Sequence, residues 1–118
     1  FANVDFVYGD GTSKAAQQQA KNFAGEGRDP ADPEISLALS PDLSGVPDHM
    51  CIYGDAEVLH EHSQTWIKRC KADGVGVIEY AGKGAIHTFP MGGLTADCRL
   101  EKESDDTLIS YMKGRIGQ

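Results

Sequence analysis

Several things are scarce in this chain, and each scarcity removes a class of protein. It holds three cysteines in 118 residues, Cys51, Cys70 and Cys98, too few and too irregularly spaced for a disulfide scaffold or a zinc ribbon. An odd cysteine fits free thiols in a reducing compartment or a bridge to another chain in an oxidising one, so the count leaves the compartment open. No window approaches the roughly 18 consecutive apolar residues that a membrane span needs, and no span is expected. Lysine and arginine number 11 against 18 aspartates and glutamates, a formal net charge of −7, and the cationic residues form no run. Such a chain repels phosphate backbones at long range, so nucleic acid is not an expected partner. Internal repeats and low-complexity tracts are missing as well. The sequence opens on Phe1 with no charged segment followed by an apolar one, so these residues show no targeting segment, which suggests processing or a cut chain. The expectation is a soluble protein, leaning to secreted.

What remains, 40% hydrophobic and 25% charged, is the composition of one ordinary globular domain. Thr12 or Ser13 can cap a helix through KAAQQQAKNFAG, with Ala16, Ala20 and Phe23 on one face and Gly25 as its stop. The following GEGRDPADPEISLALSPDLSGVPD carries turn residues without a sustained period and reads as a long surface connection with room for function. HMCIYG is a short apolar run, and Leu59 to Asp73 forms a helix with Leu59, Ser63, Trp66, Ile67 and Cys70 near one face before Gly74. VGVIEY reads as a strand and GGLTADCRLEKE as an irregular piece. SDDTLISYMKGRIG reads as a helix capped by Ser104, with Leu108, Tyr111, Met112 and Ile116 inward.

Strand, helix, strand, helix is the order of a parallel pair joined by a right-handed crossover, because a helix cannot close a hairpin. Parallel strands need both faces covered and neighbours on both sides, yet only two strands are legible. The fold class expected is therefore α/β, as part of a larger domain whose other strands lie on a second chain or a missing segment.

In open α/β sheets reactive groups gather on the loops leaving the carboxyl ends of the strands. YGDAEVL carries Asp55 and Glu57, and AGKGAIHTFP carries His87. For His87 three roles compete: a buried structural histidine, a metal ligand, or a catalytic base. A carboxylate and an imidazole on adjacent strand ends suit a base and the partner that fixes its tautomer. For Asp55 and Glu57 the plainer alternative is a carboxylate near a helix N-terminus. His60 and His62 stand two apart on a helix, about 200° around its axis, and cannot chelate one ion, so no metal is expected. GKG lacks the spacing of a phosphate loop and reads as a hinge for the histidine loop.

DPADPE, SPDLSGVPD, CIYGDAEVL, KADGVGVIEY and the HTF of GKGAIHTFP together resemble the C-terminal region of α/β-hydrolase esterases of the hormone-sensitive-lipase type. The resemblance implies that His87 is the general base and Glu57 the triad acid, with Asp55 the runner-up acid. The 30 residues between Glu57 and His87 leave room for one helix and one strand. It further implies residues 1–45 as a cap-like helix and connecting loop, with Phe1, Val4, Phe6, Val7 and Tyr8 near substrate, and residues 46–118 as the C-terminal βαβα part of the core. No cofactor is implied. The substrate implied is a small ester of short to medium acyl chain.

Two parts of the family pattern are missing. No serine lies in a G-x-S-x-G elbow, and no HGGG-type oxyanion loop occurs. Both lie upstream in the family, so the expected partner is a second polypeptide carrying them, and this chain alone should be inert. One rival reading is a non-catalytic ligand-binding protein on a hydrolase fold. Another, an independent two-strand module, would leave a long sheet edge uncovered.

Overall fold

A computed structural model describes residues 14–91 and 98–117. HMCIYG forms β1 (His49–Gly54), and VIEYAG forms β2 (Val77–Gly82). They pair in parallel, His49 opposite Val77 through Gly54 opposite Gly82. Among the described residues these two strands make up the sheet.

The crossover between them is α2 (His60–Ala72), ended by Asp73 and by Gly74 at φ +81°, a left-handed turn suited to glycine. Ile67 and Cys70 are buried on its inner face, as its periodicity predicts. Cys70, Val75 and Leu43 form the core, flanked by Val46, Trp66 and Val77. Successive strand residues point to opposite faces. His49 therefore meets α2 through Trp66 and Val77 packs on the same core, whereas Tyr80 on the other face hydrogen-bonds Glu103 of α3 (Cys98–Ile116). The result is helix, sheet, helix in three layers, the arrangement a parallel pair needs.

The first helix, α1 (Lys14–Ala24), ends at Gly25 with φ +89°. Its expected inward face is corrected: Phe23 is 81% exposed and Ala20 lies outside, while Ala24 is buried. The expected caps Thr12 and Ser13 lie outside the described residues. The connection after α1 runs through turns and a 3-10 turn at Leu37–Leu39, as its composition suggests, yet Leu43 within it is 1% exposed. Asp73 accepts the Leu43 amide at 2.8 Å, and Arg69 donates to the carbonyls of Ala38 and Ser40, so α2 holds the connection in place.

The last helix departs furthest from expectation. It starts at Cys98, within the piece read as irregular, so Ser104 is no cap. Ser104 is 1% exposed, and its hydroxyl donates to the Glu101 carbonyl one turn back, which satisfies it inside the helix. Leu108, Met112 and Ile116 are also corrected: they are exposed, Ile116 by 81%. Tyr111 is half-buried, as expected, and the exposed Arg115 reaches the same end of the sheet. Tyr111 Oη donates to the Asp48 carbonyl at 3.1 Å, and Arg115 reaches the Asp48 carboxylate at 3.1 Å.

Candidate functional site

At the carboxyl end of the sheet the two strand loops lie against each other. Gly54 closes β1 so near the second loop that a Cβ there would stand 2.1 Å from the Ala85 carbonyl oxygen. The Asp55 amide donates to the Gly82 carbonyl at 3.0 Å and the Ala56 amide to the Ala85 carbonyl at 3.1 Å. The Asp55 carboxylate accepts the Gly84 amide at 2.5 Å. Asp55 thus bridges the two loops through its backbone amide and its carboxylate.

Glu57, two residues on, is 4% exposed. A carboxylate that deep is costly unless it finds hydrogen-bond donors. His87 supplies one: its Nδ1 lies 3.1 Å from Glu57 Oε2, with the imidazole about one quarter exposed. An ionised carboxylate only accepts, so Nδ1 carries the proton and donates.

The chain around His87 is shaped to present it. Thr88 has φ +60°, the one non-glycine residue with positive φ among those described, and for a β-branched side chain this is a strained conformation. Its hydroxyl donates to the His87 carbonyl at 2.7 Å. The bend returns Phe89 to the interior, 1% exposed, where it stacks on Tyr80 with ring centroids 6.3 Å apart. Gly82 permits this, since a Cβ there would meet the Phe89 ring at 2.7 Å.

Glu57 and His87 line one open cavity of about 450 Å³ whose apolar walls include Leu59, Trp66, Phe89 and Pro90. Cys51 and Ser63 also reach it. Burial, then the nearby Glu79 and Glu57 carboxylates, push the Cys51 thiol up, which holds it away from the reactive thiolate form. Ser63 lies in the first turns of α2, not on a strand-to-helix elbow.

The four histidines separate by environment. His49 donates from Nδ1 to the Pro47 carbonyl at 2.9 Å and accepts the Trp66 indole N–H at Nε2, also 2.9 Å, so both nitrogens are used in packing. His62 is exposed on α2 at the cavity mouth, and His60 opens that helix. Phe1, Val4, Phe6, Val7 and Tyr8, the expected substrate contacts, lie outside the described residues.

Comparison with solved structures bears on the fold. The chain is similar to a serine-to-alanine mutant of LAE6, an α/β-hydrolase enzyme from the metagenome of Lake Arreo, Spain, with 21% identity and a TM-score of 0.68 over 80% of this chain. The fold is the C-terminal portion of an α/β hydrolase. An arylesterase structure is also similar, at 18% identity and a TM-score of 0.49 over 75% of this chain. The chain spans 29% of the first protein's length and 33% of the second's. No protein-family model matches the sequence, and no curated protein matches it. No helix among the described residues is long and apolar enough to cross a membrane.

Proposed function

We propose that this chain supplies the acid and the base of a serine carboxylesterase, with the nucleophile and the oxyanion hole on a second polypeptide or a segment beyond these 118 residues. The observation that carries the reading is the Glu57–His87 contact of 3.1 Å, on loops leaving adjacent parallel strands of an α/β-hydrolase fold. His87 takes the proton of the serine hydroxyl at Nε2 as the serine attacks the ester carbonyl, then delivers it to the leaving alcohol. Glu57 holds the ring through Nδ1–H and stabilises the imidazolium that forms. The acyl-enzyme is then hydrolysed by a water that His87 activates in the same way. No cofactor takes part.

The motif string from DPADPE to HTFP supports membership of the hormone-sensitive-lipase type and hence short to medium acyl esters. Residues 1–45 then belong to a cap over the acyl site, with Phe1, Phe6 and Tyr8 its expected substrate contacts.

The test is steady-state hydrolysis of p-nitrophenyl esters by the protein together with its serine-bearing segment. His87→Ala should lower kcat on the order of 10³-fold or more, and Glu57→Gln by a comparable factor, with unchanged melting temperatures. Retention of wild-type turnover in both variants would sink the assignment of acid and base, whereas a wild type without turnover would favour a non-catalytic ligand-binding protein.

A further inference from the structure

We infer that Asp55 is a positioning residue, whose carboxylate clasps the loop of His87 to the loop of Glu57 and thereby sets the hydrogen bond between them. The inference rests on the reading of Glu57 and His87 as acid and base. Asp55 is the first residue after β1, two before Glu57, and it accepts the amide of Gly84, three before His87. Gly84 has φ +72°, a left-handed turn in which glycine is at ease, and this turn offers its amide to the carboxylate.

The two backbone bonds beside it, from Asp55 to Gly82 and from Ala56 to Ala85, survive any side-chain change. The carboxylate contact with Gly84, by contrast, is a link between the loops that a substitution at Asp55 removes. Bases misplaced by as little as about 1 Å lose on the order of 10²-fold in rate, so a loop released at this point is felt at the imidazole.

The role has a chemical signature. A clasp needs an acceptor oxygen at Oδ1, which asparagine keeps, whereas a triad acid needs the negative charge, which asparagine lacks. Asp55→Asn and Asp55→Ala should therefore differ sharply if Asp55 is a clasp, and should be equally damaging if Asp55 is itself the acid.

The experiment reads two signals from the full-length protein: the imidazole Nδ1–H proton resonance of His87, and kcat and KM for ester hydrolysis. The downfield resonance of a carboxylate-bound imidazole should persist in Asp55→Asn and be lost or broadened in Asp55→Ala. In Asp55→Ala kcat should fall about 10²-fold with KM nearly unchanged, and in Asp55→Asn it should stay within a few fold. Asp48→Ala, which cuts the corresponding bond at the far end of the sheet, should keep the resonance. The inference is overturned if Asp55→Ala keeps both signals, if Asp55→Asn is as damaging as Asp55→Ala, or if Asp48→Ala loses the resonance too. Should the wild type hydrolyse no ester, the functional reading falls, and the resonance still decides the clasp.

Discussion

The two ends of the sheet are built on the same device and put it to different uses. At the amino end Asp48, just before β1, accepts the amide of Gly76 at 2.8 Å; at the carboxyl end Asp55, just after β1, accepts the amide of Gly84. Each carboxylate ties the chain beside one strand to the chain beside the other. At the amino end the remaining partners are structural: Arg115 and Tyr111 bring α3 onto Asp48, and the guanidinium lies 5.4 Å from the Tyr111 ring centre. His49 there spends both ring nitrogens on packing. At the carboxyl end the tie sits beside a histidine whose Nδ1 meets a buried carboxylate in an open cavity. The same bond can close a sheet or aim a base, and the partners around it decide which.

Exchanging the two histidines sharpens that contrast most. His87→Gln should lower kcat about 10³-fold or more, while His49→Gln should leave kcat alone and cost about 1 kcal/mol of stability through the lost indole bond. Ester hydrolysis and urea unfolding of both variants check the pair. Turnover lost in His49→Gln and kept in His87→Gln would reverse the assignment.

The glycines give the next largest effect. An added Cβ at Gly54 meets backbone at 2.1 Å, whereas at Gly76 it meets the Asp48 carboxylate carbon at 2.7 Å, which a side-chain rotation can relieve. Gly54→Ala should cost about 3 kcal/mol and displace the histidine loop, and Gly76→Ala about 1 kcal/mol. Equal melting temperatures in the two variants would contradict the tighter packing of the carboxyl end.

The smallest effect is electrostatic. The Gly76 amide, and after it Arg115, hold the Asp48 carboxyl below the usual carboxylate range. A folded value below the unfolded one means the contribution is fully present above the unfolded value and is lost as pH falls through the folded one. Asp48→Asn should flatten the acid limb of stability between about pH 5 and pH 2 and change little near neutrality. An unchanged acid limb, measured by urea unfolding across that range, would remove Asp48 from the pH dependence.

Much of this was legible in the sequence, and the gaps have physical causes. HMCIYG is β1 residue for residue, because an apolar β-forming run bounded by Asp48 and Gly54 has few alternatives. VGVIEY is displaced by two: Val75 is buried in the turn, Gly76 meets Asp48, and the strand continues through Ala81 and Gly82, whose lack of bulk admits Phe89. In α3 the period was right and the covered face was not, since periodicity reveals a stripe without revealing what lies over it. The spacing of Glu57 and His87 suited their meeting. The clasp of Asp55, the close approach at Gly54 and the bend at Thr88 were not legible, because each depends on contacts between loops about 30 residues apart or on a backbone angle no local pattern encodes. The glycine just before the acid loop was the one available signal.

The central claim, that His87 acts as the base for a serine outside this chain, is tested most directly by fluorophosphonate labelling of the native preparation, wild type against His87→Ala. The account predicts that a serine on the associated segment takes the label in the wild type and is labelled far more slowly in the variant. Equal labelling of both, or no labelled serine in the wild type, would contradict it.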